Sequence, residues 1–220
     1  MRHKIKNITG HLRRVPPISK LRKDIIMFMF PVVAIIISLL ERSLIITVVI
    51  YSCLVFFSFV YLSRLHEDNY EKIFKGMFKI RFNRDFFIMP LSIGIGAFVL
   101  ISLFILIFYG NSITALGAGV IPVIIIIRGI VNTIEELFWR GSVQNGFIKR
   151  FGPVQGILIT SALFVVFSLN TWFFSLVVLN IITAFIVSFI LGVLYFKRRN
   201  VVQNTIARTI MDVLIFSFVF

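Results

Sequence analysis

The chain has 220 residues, of which 59% are hydrophobic and 26 are phenylalanine. This apolar share exceeds the roughly 45–50% of soluble domains, and a water-soluble core cannot bury so much apolar surface. The net charge of +14 does not indicate nucleic-acid binding, because most of the 23 Lys and Arg lie between the apolar runs. The single Cys53 excludes an intrachain disulfide and a thiolate zinc cluster. Long apolar runs without alternation predict helices that cross a bilayer.

The sequence predicts an all-α fold, a polytopic transmembrane helical bundle of about seven spans. Most runs approach the ~20 residues that a bilayer requires, although the first and the fifth are short. Residues 1–24 form a basic segment, residues 25–85 hold two accessory spans and a loop, and residues 86–220 form the helical core. The predicted spans, in chain order, are Ile25–Leu40, Leu44–Leu62, Phe86–Tyr109, Ala115–Trp139, Val154–Leu169, Trp172–Phe196 and Val201–Phe220.

The distribution of Lys and Arg predicts the orientation, because cytoplasmic loops of membrane proteins retain positive charge. Basic residues crowd the first 24 positions, the loop at 63–85, Lys149 with Arg150, and the run from Lys197 to Arg199. The intervening loops hold only Arg42. We therefore expect a multi-pass protein of the cell membrane with a cytoplasmic amino terminus. The lipid bilayer is the expected contact of these basic loops, and nucleic acid is not an expected partner.

Six charged residues fall at or near membrane depth. Each isolated charge at the bilayer centre costs roughly 2.5–3.5 kcal/mol, so three acids and three bases are expected to pair inside the bundle. Polar residues at three- and four-residue steps extend the predicted network along the same helices. Such a network marks a functional pocket, or alternatively contains structural ion pairs that fix the helix register. The charged residues are Arg128, Glu135, Glu136, Arg140, Arg208 and Asp212, and the network adds Asn132, Asn180 and Asn204.

The run from Glu135 to Arg140 resembles the EExxxR motif of the CPBP intramembrane proteases, which include the CAAX prenyl endopeptidases and the bacterial Abi proteins. Phe164 to Ser168 stands where that family has FxxxH, and Arg208 to Asp212 stands where it has HxxxN. The resemblance covers about residues 115–220. It implies that Glu135, Glu136 and Arg140 are catalytic motif positions, with a glutamate that activates water and two histidines that complete the site.

Both motif histidines are absent, however, because Ser168 and Arg208 occupy their positions and Asp212 replaces the motif Asn. A hydrolytic zinc site needs about three protein ligands and an open position, and a guanidinium cannot act as a ligand. The sequence therefore predicts no bound metal and no cofactor, with Arg208 neutralising the acidic side chains instead. The chain's histidines, His3, His11 and His66, all lie outside the predicted spans.

Three shorter segments are similar to the lysostaphin-resistance protein A subgroup: Glu136 to Arg140, Gln144 with Asn145, and Phe167 to Thr171. This similarity implies action through partners. The leading hypothesis is a proteolytically inactive scaffold or regulator that binds another membrane or cell-envelope protein. One alternative is an active peptidase that uses Glu135 or Glu136 as general base, with zinc as cofactor. Another is a transporter or channel, because buried charge networks also line ion paths.

Overall fold

The computed structural model describes residue 29 and residues 31–36, 44–65, 70–80, 84–109, 121–168 and 177–218. Within these ranges the chain is helical with short connections and contains no β-strand, as the all-α prediction requires. Of the first predicted span, Ile25–Leu40, only residue 29 and residues 31–36 are described, and they are helical. Asn170 and the three histidines lie outside the described residues.

We number the helices in chain order. The stretch Leu137–Gln144 is π-helical, so the chain runs from Ile121 to Phe151 as one helical path. The helices are α1 (Leu44–Leu65), α2 (Tyr70–Met77), α3 (Arg84–Tyr109), α4 (Ile121–Glu136), the π-helical segment (Leu137–Gln144), α5 (Asn145–Phe151), α6 (Pro153–Ser168), α7 (Val177–Arg198) and α8 (Val201–Phe218).

Two described helices contain a stretch long and apolar enough to cross a bilayer, namely Arg84–Leu103 in α3 and Ile181–Arg198 in α7. Two shorter apolar helical stretches are Val49–Ser63 and Pro153–Ser168. The number of seven spans therefore stays a prediction. Large apolar side chains nevertheless cover the outside of the described bundle, with Ile126 64% and Ile107 73% exposed. Such a surface is typical of helices that face lipid.

The predicted fourth span, Ala115–Trp139, differs from the observed helix at its carboxyl end. The helical path does not stop at Trp139 but continues through the π-helical segment into α5. All eight residues of that segment are buried, because α1, α6, α7 and α8 each pack against it. The segment therefore occupies the centre of the described bundle, and π-helical stretches of this kind often occur at functional sites.

Two apolar cores flank this central segment. One joins α1 and α6 around Phe138 and Trp139 of the π-helical segment. The other lies between α3, α7 and α8, with Leu191 and Met211 at its centre. Packing is closest where α3 meets α8, so the position of α8 depends on this contact.

Three of the predicted cytoplasmic loops meet at one end of the bundle. Asn200, after α7, donates to the carbonyl oxygen of Lys79 at 2.8 Å, and Gln203 donates to that of Phe86 at 3.2 Å. Arg199 donates to the side-chain oxygen of Asn145 at 2.5 Å. The loops after α2 and α7 and the start of α5 therefore lie at the same end of the bundle, in agreement with the charge pattern.

Candidate functional site

The site is built from α1, α4, the π-helical segment, α6, α7 and α8. Glu135 and Glu136 end α4, and only 3% and 0% of their surfaces are exposed. Adjacent residues of a helix point in directions about 100° apart, so the two carboxylates reach different neighbours. Arg208 of α8 nevertheless contacts both of them.

The guanidinium of Arg208 lies between the two glutamates. Its Nη2 atom forms an ion pair with Oε2 of Glu135, and its Nη1 atom donates to Oε1 of Glu136 at 3.3 Å. The side chain is only 11% exposed, so water screens these contacts weakly. Arg208 thus supplies positive charge to both motif carboxylates at once.

Arg140 neutralises Glu136 from the other side. Its Nε lies 3.3 Å from Oε2 of Glu136, and both side chains are fully buried. Arg140 also donates to the hydroxyl of Ser188 in α7 at 3.0 Å. Asn204 of α8 donates to the same Oε2 atom at 3.0 Å. Glu136 therefore forms an ion pair with the π-helical segment and accepts hydrogen bonds from α8, which connects these elements.

Phe164 of α6 lies next to both arginines. The guanidinium carbon of Arg208 is 4.9 Å from the centre of its ring, and that of Arg140 is 5.4 Å away. Trp139 packs edge-on against the same ring at 5.8 Å. The aromatic residue of the predicted FxxxH-like motif thus holds the two cations by cation–π contact.

Asp212 and Asn132 form the second part of the cluster. Asn132 donates to Oδ2 of Asp212 at 2.9 Å and to the hydroxyl of Thr209 at 3.2 Å. Arg128 and Arg208 both attract the Asp212 carboxylate. The six charged residues that the sequence singles out are therefore brought together across α4, the π-helical segment and α8.

Two predicted positions have a different environment. Ser168 is buried, and its hydroxyl donates to the carbonyl oxygen of Val165 within its own helix at 3.0 Å. Its hydroxyl proton is thus used in a local bond of the kind common in membrane helices. Asn180 lies in α7, but its side chain is outside the described part of the structure.

Sequence reasoning missed Tyr51 of α1. Its hydroxyl donates to Oε1 of Glu135 at 2.5 Å, so a helix predicted to be accessory reaches the site. A single tyrosine within an apolar run carries no periodic signal, because only its long-range contact sets it apart. Ser188 and Thr209 were missed for the same reason.

Tyr51→Phe should lower the free energy of unfolding by about 1–3 kcal/mol. The variant keeps the ring but removes a hydrogen bond to a buried carboxylate, and bonds to charged groups contribute about that much. Chemical unfolding of the purified protein in detergent micelles measures the change. An unchanged free energy of unfolding in Tyr51→Phe would contradict the assigned role of Tyr51.

The arrangement is unsuited to a zinc ion. Within the described residues, no group of three or more His, Cys, Asp or Glu side chains could hold a metal. Arg208 occupies the space between Glu135 and Glu136, where an ion would have to bind, and a divalent cation there would be repelled. What the arrangement does is pair two buried carboxylates with guanidinium groups.

The comparisons with known proteins bear on this part of the chain. Neither the curated proteins nor the solved structures gave a match. A family model described as type II CAAX prenyl endopeptidase Rce1-like matches residues 113–214, which include Glu135, Glu136, Arg140 and Arg208. The match agrees with the sequence resemblance to the CPBP proteases over nearly the same residues. The family match and the apolar helices together support a membrane protein whose segment 113–214 is similar to the CPBP endopeptidases.

Proposed function

We propose that this chain is a multi-pass protein of the cell membrane that has lost endopeptidase activity and acts by binding another membrane or cell-envelope protein. The observation that carries the proposal is the position of Arg208 between Glu135 and Glu136. A glutamate that activates water must accept a proton from it, and an ion pair with arginine weakens that ability. Charge balance in the site then comes from guanidinium groups, with no cofactor.

A partner-binding role fits the burial of the site. The cluster connects α1, α4, α7 and α8 through hydrogen bonds and ion pairs, so it can hold the helices in one register. The outer face of α4 carries exposed Ile125, Ile126 and Ile130, which offer an apolar surface within the bilayer. The similarity to the lysostaphin-resistance protein A subgroup supports the same role.

The purified full-length chain should not cleave a farnesylated peptide that ends in a CAAX sequence. We expect product formation equal to that of Glu136→Gln, because neither protein has a carboxylate free to activate water. Zinc measured by mass spectrometry of the purified protein should stay far below one ion per chain. Cleavage by the native chain that Glu136→Gln abolishes would contradict the proposal.

A variant that restores the motif provides the positive control. Ser168→His combined with Arg208→His and Asp212→Asn returns both histidines and the Asn of the family motif. Because the arginine is removed, this variant should bind zinc at about pH 7, where neutral imidazole is a ligand. If the native chain bound zinc as well as this variant does, Arg208 would not be the reason for inactivity.

Active peptidase function is the second candidate, and the family match favours it. It requires that Arg208 leave the carboxylates during the reaction. The two candidates predict different products of an experiment in native membranes. A photo-crosslinker at Ile126, on the exposed face of α4, should capture a stable partner if the chain is a scaffold, whereas a peptidase should yield cleaved products that accumulate only with an intact Glu136.

A further inference from the structure

A cavity of about 520 Å³ lies at the end of the bundle where the basic loops meet. It opens between α2, α5 and the carboxyl end of α7. Lys149, Arg198 and Arg199 line it, and all three are exposed. No acidic residue of the described chain is part of its wall. This cavity is separate from the glutamate cluster, because the two share no residue.

The wall of this cavity is divided by polarity. Asn145 and the buried Tyr195 add polar groups next to the arginines, and they bond to each other at 2.9 Å. Ile73 and Met77 of α2 supply an apolar side. In α2 the charged Glu71 and Lys75 pair on the exposed face, so its apolar face turns toward the bundle. A wall with cations on one side and alkyl groups on the other suits a ligand that has both an anionic group and a hydrocarbon part.

Arg199, which lines this cavity, has an unusual backbone conformation. Its φ angle is +52°, and glycine is the usual residue at such a position after a helix. A residue other than glycine is uncommon in this conformation, and such strain collects at functional positions. One donor of Arg199 bonds Asn145, and the planar group has five donors in all, so others remain to bind an anion.

Lys149 adds a second, chemically different cation from α5. Partial burial lowers its pKa from the ordinary lysine value, because its charged form loses contact with water. An anion in the cavity would restore that lost stabilisation. Lys149 and the two arginines thus line the same cavity from two parts of the chain. Several cations around one space can bind several oxygens of a phosphate group.

We propose that this cavity binds the phosphate group of an anionic phospholipid at the cytoplasmic surface of the bilayer. Cytoplasmic leaflets are rich in such lipids, and basic pockets between helices on that side are suited to their headgroups. Lys149, Arg198 and Arg199 hold the phosphate, and Ile73 with Met77 contacts the start of the acyl chains.

The test uses the full-length chain in detergent and titrates phosphatidylglycerol or phosphatidylcholine, with bound lipid counted by native mass spectrometry. We expect tighter binding of phosphatidylglycerol. Lys149→Gln combined with Arg199→Gln should weaken that binding about 30-fold, because two cation contacts are lost. The matched control is Arg150→Gln with Lys197→Gln, which removes the same charge from neighbouring residues that do not line the cavity. The control should retain binding to within about threefold.

A variant without a charge change tests the volume itself. Gly76 lines the cavity, and a Cβ atom added there meets no atom within 4 Å. Gly76→Leu should therefore place its side chain in the cavity and block the lipid without unfolding α2. Inorganic phosphate is the competing probe. If phosphate displaces the lipid at equal anion concentration, the site takes free phosphate compounds rather than headgroups. Equal losses in the two double variants, or lipid binding unchanged in Gly76→Leu, would overturn the proposal.

Discussion

Arg208→Met should lower the free energy of unfolding by about 3–5 kcal/mol. The variant keeps an unbranched apolar stem but removes the ion-pair partner of Glu135 and one of the two cations that neutralise Glu136. Leaving a charge buried without its partner costs about that amount. Chemical unfolding in detergent micelles, followed by circular dichroism, measures the change.

Removing the charges on both sides should reverse most of this loss. Arg208→Met combined with Glu135→Gln removes one cation and one anion and keeps the ion pair between Arg140 and Glu136. Uncharged replacements of buried ion pairs are often nearly neutral in stability. Recovery in the combined variant would identify electrostatics, and not the lost packing of Arg208 on Phe164, as the cause.

The same chain contains a surface ion pair for comparison. Lys75 and Glu71 of α2 lie 2.5 Å apart, but their side chains are 73% and 78% exposed. Lys75→Met should therefore cost less than about 1 kcal/mol. If Arg208→Met cost no more than Lys75→Met, the buried cluster would not hold the bundle together.

Gly94→Ala should destabilise the protein by about 1–3 kcal/mol. A Cβ atom at Gly94 of α3 would lie 2.5 Å from the carbonyl oxygen of Ala207 and 3.0 Å from Cβ of Ile210, both in α8. The obstacle at Ala207 is backbone, so the two helices must separate, and overpacking of this kind carries such a cost. Thermal unfolding in micelles checks the value.

Gly96, two residues further along α3, provides the control. A Cβ atom there meets nothing within 4 Å, and alanine is the better helix former, so Gly96→Ala should be neutral or slightly stabilising. The packing of α3 on α8 also affects the site, because α8 carries Arg208. Displacement of α8 by Gly94→Ala should also weaken the ion pairs with Glu135 and Glu136, and equal stabilities of the two alanine variants would contradict close packing of α3 on α8.

Most of the cluster's membership could be predicted from the sequence. Charged residues within apolar runs are identifiable one by one, and helical periodicity places Asn132, Glu136 and Arg140 on neighbouring turns. The family motif, with arginine in place of a histidine, also directed attention to Arg208. The sequence could not predict that Arg208 pairs with both glutamates, because Asp212 has the same charge and was an equally suitable partner.

What the sequence by itself determined is the helical class, the apolar spans and the set of charges that must be neutralised inside them. These follow from local properties, because each run of residues satisfies its own backbone and each buried charge needs a partner wherever it lies. Only the tertiary structure decided that Arg208 lies between Glu135 and Glu136, that Tyr51 reaches Glu135, and that the segment after Glu136 is a buried π-helix. The cavity lined by Arg199 was also visible only in the tertiary structure. Each of these depends on contacts between helices distant in sequence, whose packing no local pattern specifies.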